Sequence, residues 1–261
     1  MSLGQLPWLV DEHEDFPSAG ELLSRLRHPV RLDPRVSADW PSVNGPAVGY
    51  GTMRTMSRLA RDRRLGHAVF DDYARLRCSA YYPAVWQFLG RTAVLVPFAG
   101  LASIDARRMF GDRVFVRSDT NLKVFAAAVV ASTELPAFAA GHPLQHDQLA
   151  VLSEVIAIER EHRCFCRGGR FVCGSSYPAP YVPLPSEASA SDAIVAFAEH
   201  VAASVATIGL DPVSIDVATT PEGLRLVEVG GVNSWGAYAS DLVAFVAMME
   251  SEAHARWDAN H

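Results

Sequence analysis

Val213-Ser-Ile-Asp216-Val-Ala-Thr-Thr-Pro-Glu-Gly223-Leu-Arg-Leu-Val-Glu228-Val-Gly-Gly-Val-Asn233 reads as two strands joined by a tight turn. Apolar residues flank Thr219-Thr-Pro-Glu-Gly223 on both sides, and the glycine supplies the positive φ a hairpin turn needs. Centring the turn on Glu222 sets Asp216 opposite Glu228 and Val217 opposite Val227. Cross-strand partners have Cβ atoms roughly 4.5–5.5 Å apart, so two carboxylates placed this way repel unless something positive lies between them. A divalent cation removes that repulsion. Magnesium suits hard oxygen ligands, takes one or two carboxylates and completes its shell with phosphates and water. Asn233, a few residues past Glu228, offers a neutral oxygen to the same ion. The alternative is a pair of solvated acids on an exposed face. The neighbours Val213, Ile215, Val217, Leu224, Leu226 and Val229 favour the partly buried pair.

Outward from this hairpin the chain continues as paired strands. Strands are expected at Val114 to Arg117, Leu152 to Ile158, His162 to Cys166 and Phe171 to Gly174, the last two joined by the turn Arg167-Gly-Gly-Arg170. Asp192 to Ile208 reads as an amphipathic helix, with Ile194, Phe197, Val201, Val205 and Ile208 on one face and Gly209 just past its end. A last helix starts near Asp241. Before residue 105 the pattern differs: a strand at Leu6 to Val10, a helix from Ser18, extended Pro29 to Leu32, a strand at Ala47 to Tyr50 and a helix from Thr52 to Arg64. Short apolar runs follow at Ala68 to Phe70 and Thr92 to Val96, with a helical stretch from Pro83 to Leu89 between them. The fold class is α+β: a small β-α-β lobe over residues 1–105 and an antiparallel α+β body over 106–261.

Composition narrows the function classes. The 261 residues are 49% hydrophobic and 20% charged, enough to bury a large core and too apolar for a disordered chain. A net charge of −6, with only the short Arg61 to Arg64 run basic, argues against a nucleic-acid binder. The apolar runs are too short for a membrane span, and Leu6 to Val10 runs straight into acidic residues, so neither span nor signal peptide is expected. Four cysteines without a disulfide-like or CxxC pattern point to a reducing cytoplasm. No HExxH, GxSxG or GxxxxGK[ST] string occurs. Tyr177 to Pro185 is proline-rich and reads as a stiff connector that can line a substrate mouth.

Of the 23 basic residues only Lys123 is a lysine. It is either a chance survivor of arginine bias or a place where a compact ammonium is required, such as contact with a phosphate. Arg117 ends the run Val114-Phe-Val-Arg117 six residues before it, a plausible anion-binding segment or an ordinary strand end. Period-two alternation sends Glu161, Arg163 and Phe165 to one face of their strand, so Arg163 can reach the same cleft as a phosphate clamp.

Val-Phe-Val-Arg117 with Lys123-Val-Phe125, Glu161-His-Arg163-Cys-Phe165 leading to Ser176-Tyr177, Ile215-Asp216-Val217, and Val227-Glu228-Val-Gly-Gly-Val-Asn233-Ser-Trp-Gly-Ala-Tyr238 together resemble the ATP-grasp superfamily in order and spacing. More narrowly they resemble a small clade that combines strand arginines with one lysine. The resemblance is specific from residue 112 to 241. It implies an ATP-grasp fold in which two α+β subdomains enclose ATP, with Arg117, Lys123 and Arg163 near the phosphates and Lys123 and Arg163 acting in catalysis. It also implies that Glu154 and Ile156 lie on an adenine-contacting hinge, that Glu161 belongs to the cofactor site, and that Asp216, Glu228 and Asn233 hold magnesium. The implied reaction is ATP-dependent ligation of a carboxylate to an amine through an acyl phosphate, on small-molecule or peptide substrates. One departure stands out: many ATP-grasp enzymes have Glu-x-Asn where this chain has Gly230. It motivates an alternative, a nucleotide-binding or protein-interaction module with the same fold and no ligase turnover. A third reading is a structural α+β protein whose charges are solvated. The acid, the amine and the oligomeric state are not specified by these residues.

Overall fold

A computed structural model describes residues 3–11, 17–33, 40, 42–142, 147–177 and 190–260. The stretch 178–185 of the proline-rich segment lies outside these residues. The chain opens with β1 (Trp8–Val10), α1 (Pro17–Arg25), β2 (Pro29–Arg31) and β3 (Val48–Tyr50), and the strands form a parallel sheet in the order β2-β1-β3. Every residue of β1 and β3 is buried because the sheet is covered on both sides, as parallel sheets are. Trp8, Val10 and Tyr50 pack with Leu22, Leu26 and Phe245, and Leu9 packs with Met56 and Leu59 on the other side. The next helix, α2 (Met53–Leu59), stops short of the expected Arg64. Asp62 accepts hydrogen bonds from the backbone N–H of Arg64 (2.8 Å) and Leu65 (3.2 Å), which turns the chain before another helical turn can form. The short apolar run at Ala68 begins inside a 3-10 turn, Gly66–Ala68.

After α3 (Cys78–Leu89) come β4 (Ala93–Pro97), α4 (Ala106–Phe110), β5 (Arg113–Ser118), β6 (Ala128–Ala131), α5 (Leu135–Ala140) and β7 (Leu149–Ser153). These strands make an antiparallel sheet in the order β4-β7-β5-β6. Val114, Val116, Ala150 and Leu152 face a core with Phe98, Leu101, Phe125 and Leu135. The alternate residues, among them Leu95, Phe115, Arg117 and Val151, face the other way. A division at residue 105 falls inside this sheet, because β4 precedes it. Strand β7 begins at Leu149 and ends at Ser153, so the residues after Ser153, expected to continue the strand to Ile158, are instead a connector.

That connector leads to β8 (Arg160–Arg167), β9 (Arg170–Tyr177), α6 (Asp192–Ala206), β10 (Val213–Thr220), β11 (Gly223–Gly230) and α7 (Leu242–Asn260). The second antiparallel sheet has the order β11-β10-β8-β9. Cys164, Cys166, Ile215, Val217, Leu226 and Val229 pack against Tyr81 and Val85 of α3 and Val201 and Val205 of α6. On its opposite face Phe165 and Cys173 meet Trp235 and Phe245.

The hairpin keeps its expected key pair by an unexpected route. Its turn is tighter than a centre at Glu222 requires, so that Thr220 faces Gly223 and Val217 faces Leu226, not Val227. A bulge at Val227 then restores Asp216 opposite Glu228. Without the extra residue, Leu226 and Glu228 would share a face. With it, Leu226 and Val229 stay in the core while Glu228 turns to the side of Asp216. Among the described residues no helix is long and apolar enough to cross a membrane.

Candidate functional site

Asp216 and Glu228 lie at the centre of the site, 3% and 8% exposed, and each is met by an arginine. Arg163, opposite Asp216 on β8, donates from Nε and Nη2 to the two carboxylate oxygens, both at 2.8 Å. This is a bidentate, charge-assisted pair. Arg117 comes from the first sheet and donates to Glu228 of the second, so this ion pair spans the two sheets. The repulsion between the facing acids is thus relieved here by two guanidinium groups.

Glu161 lies two residues before Arg163 on β8, and the Tyr177 hydroxyl donates to it while standing 3.1 Å from Asp216 Oδ2. Burial raises the pKa of Glu161, with the Tyr177 hydrogen bond opposing it, and burial likewise raises the Tyr177 phenol. Both therefore hold their protons more tightly than in water. The Arg163 guanidinium is ringed by Trp235, Tyr177 and Tyr238 at 4.6, 5.0 and 5.1 Å from the ring centroids. Tyr177 and Tyr238 stack at 4.8 Å with planes 6° apart.

Lys123, itself exposed, lies on the loop after β5, whose residues Asp119 to Asn121 are buried, in a left-handed conformation with φ 49°. That loop docks onto α3 and the second sheet. Asp119 accepts from the Ser79 N–H at 2.7 Å, and Asn121 Nδ2 donates to the Val229 carbonyl at 3.0 Å. The docking carries the Lys123 ammonium to 5.4 Å from the Trp235 ring. Arg117, Lys123, Glu161, Arg163, Asp216 and Glu228 are therefore gathered around one another. Tyr177 and Trp235 belong to the same cluster. No spacing rule flagged them as site residues, because their contacts depend on the pairing of distant strands.

Glu154 and Ile156 occupy the connector between the two sheets. Glu154 is tied to the start of β4: Thr92 N–H donates to its carboxylate at 2.7 Å, and its own N–H donates to the Thr92 carbonyl at 3.1 Å. Leu95 and Val155 are 38% and 41% exposed, and Leu95 pairs with Val151, which in turn pairs with Arg117. Leu95 and Val155 are thus exposed apolar side chains beside the connector, while Val151, between Leu95 and Arg117, is buried in the core with α3.

A family model of the ATP-grasp domain, that of the second family in the R-two-K clade, matches residues 88–248. The chain belongs to this ATP-grasp family. No curated protein matches it. Among solved structures it is similar to D-cycloserine synthetase DcsG, with a TM-score of 0.70 and 15% identity over 95% of this chain and 100% of that one. It is also similar to a RimK domain ATP-grasp protein from Sphaerobacter thermophilus, with a TM-score of 0.60 and 15% identity over 97% and 98% of the two chains. A third is the D-alanine–D-alanine ligase of Bacillus anthracis, with a TM-score of 0.62 and 10% identity over 98% and 100%. At such identities these likenesses establish the ATP-grasp fold.

Against that ATP-grasp frame, Asn233 occupies a different place from the one expected. Its side chain is fully buried and already carries four hydrogen bonds: Oδ1 accepts from the N–H of Phe70 (2.7 Å) and Asp71 (3.2 Å), and Nδ2 donates to the carbonyls of Gly49 (2.7 Å) and Ala68 (3.2 Å). Both oxygen lone pairs are engaged, so the amide ties the parallel N-terminal sheet to the loop after β11 and has nothing left to offer a cation. Asp71 secures the same loop by accepting from Val232 N–H at 2.7 Å. Gly230, where many ATP-grasp enzymes carry asparagine, has no room for a side chain. A Cβ there would collide with the Trp235 indole and stand 2.6 Å from Ser214 Oγ. The indole fills the space that an asparagine would need.

Proposed function

We propose that this protein is an ATP- and magnesium-dependent carboxylate-amine ligase that joins a small-molecule or peptide acid to an amine through an acyl phosphate. The observation that carries the reading is the pair Asp216 and Glu228, buried face to face and held by arginines from two different sheets. Two carboxylates and no third fit magnesium, whose remaining ligands are phosphate oxygens and water. Among the described residues no group of three or more His, Cys, Asp or Glu side chains is placed to form a complete cage. Asp216 and Glu228 would hold the ion, which when bound neutralises phosphate oxygens. The chain's own cations act beside it. Arg117 and Arg163 exchange their carboxylate partners for phosphate oxygens, and Lys123, whose ammonium meets an aromatic ring and, among the described residues, no acid, adds a third positive charge. The exposed apolar side chains of Leu95 and Val155 suit an adenine ring beside Glu154 and Ile156. In the reaction the acid's carboxylate oxygen bonds to the γ-phosphorus as its bond to ADP breaks. The amine then attacks the acyl carbon, and phosphate leaves as the amine loses a proton. That solved structures of similar fold bear the names of a synthetase and a ligase supports this reading.

Gly230 favours one second reading, nucleotide binding without turnover, since the oxygen that an asparagine would supply there is replaced by indole. Thermal unfolding with ATP and magnesium, with and without chelator, tests the shared part. At ligand about 100 times its Kd the expected gain is ~2.7 kcal/mol, a shift of roughly 5–10 °C that Lys123→Ala diminishes. No shift in folded protein refutes both readings. ADP release that depends on adding an acid and an amine separates ligase from binding module.

A further inference from the structure

Arg163 and Lys123 reach the site from different sheets, yet both cations lie over one ring, that of Trp235, at 4.6 and 5.4 Å from its centroid. The nature of that partner matters. A carboxylate between the two would hold them in place but cancel their charge and compete with any incoming anion. An aromatic face attracts a cation through its quadrupole without neutralising it. Among the described residues Lys123 has no acid in salt-bridge range, so the indole is what fixes its ammonium while leaving it positive. The ring is itself held firmly. It is 5% exposed, its backbone carbonyl accepts the Tyr50 hydroxyl at 3.0 Å, and its six-membered edge packs where Gly230 leaves space.

We propose that Trp235 is a positioning residue that aligns Arg163 and Lys123 towards polyphosphate, with Gly230 as the notch that admits it. This rests on the nucleotide reading above. The test is isothermal calorimetry on the full chain and on Trp235→Phe and Trp235→Leu, comparing adenosine with ATP at fixed magnesium. The ratio of the two dissociation constants isolates the phosphate contribution, which a merely structural role would leave unchanged. A cation–π contact of ordinary strength predicts that Leu lowers the ratio roughly ten-fold and Phe roughly three-fold, with adenosine affinity within about two-fold of the parent. If Leu does not fold, the Phe variant decides alone. A parent-like ratio in the folded variants, or equal weakening of ATP and adenosine, overturns the positioning role while the nucleotide reading stands. A parent chain that binds neither ligand overturns the nucleotide reading, and this role with it.

Discussion

Replacing Asp216 with asparagine tests whether the buried pair with Arg163 is a pair in solution. In the parent, two guanidinium N–H groups meet two carboxylate oxygens at 2.8 Å, and both residues are over nine-tenths buried. Asparagine keeps one acceptor, sets an NH₂ against a guanidinium N–H, and leaves the arginine charge without its counter-ion. Removing one partner of a buried pair costs about 3–5 kcal/mol. The Gly236 carbonyl at 3.3 Å and the three surrounding rings still receive the guanidinium and offset about 1–2 kcal/mol of that. The expected net loss is about 2–3 kcal/mol, or roughly 5–10 °C in Tm. Urea unfolding of the parent, Asp216→Asn, Arg163→Gln and the double variant measures it, with an expected coupling of about 2 kcal/mol. The exposed pair Arg170–Glu199, at 3.5 Å with the arginine 80% exposed, is the internal control, and Glu199→Gln should change stability by less than about 0.5 kcal/mol. A loss for Asp216→Asn no larger than that control, or strict additivity in the double variant, refutes the reasoning.

Asn233→Ala strips partners from four buried backbone groups and is expected to destabilise by about 3 kcal/mol in the same assay; a loss below about 1 kcal/mol would show that the tie is not formed. Burial lifts Asp71 from 3.8 to about 6, against the pull of its hydrogen bonds from Asn233 and Val232. The folded chain therefore binds this proton more readily than the unfolded one, so stability from this group is present below about pH 4 and is lost as pH rises through about 6, by at most ~3 kcal/mol. Asp71→Asn removes that dependence, and a Tm difference from the parent that is the same at pH 4.5 and pH 8 would exclude ionisation as the cause. Gly230→Ala drives a methyl into the indole and is expected to lower stability by about 1–3 kcal/mol; a parent-like Tm would mean the ring is not packed there.

The hairpin that opens the sequence reading was legible because period-two alternation and a glycine turn are local signals. They brought Asp216 to Glu228, although the turn is tighter than a centre at Glu222 requires and a bulge at Val227 makes up the difference. Bulges are settled by what each face must bury, here Leu226 and Val229, and not by spacing alone. The helix α6 and the parallel N-terminal strands were legible for the same local reason. Strand β6 and helix α5 were not, since Ala128–Ala131 and Leu135–Ala140 are short and half alanine, without a periodic apolar stripe. Asn233 shows the deeper limit. As a polar residue just past an acid it reads as a ligand, but its four partners lie more than 160 positions away in sequence, and only the fold brings them to it.

The reciprocal hydrogen bonds between Thr92 and Glu154 have a mechanical consequence. Residues 93–153 form the whole first sheet as one uninterrupted stretch, and the chain enters and leaves it at these two neighbouring points. Arg91 fastens the entry strand to the Leu226 carbonyl at 3.1 Å and the Val227 carbonyl at 3.4 Å. This panel is pinned along its inner face as well, where Ala93 and Val151 share the core with α3 and α6 and the loop holding Asp119 and Asn121 is hydrogen-bonded beyond them. Arg117 on Glu228 adds an ion pair to that seam. The adjacency of entry and exit makes the panel an insertion in the chain. Ends that already meet within a hydrogen bond can be joined by a short turn, leaving the helices and strands on either side in their original order.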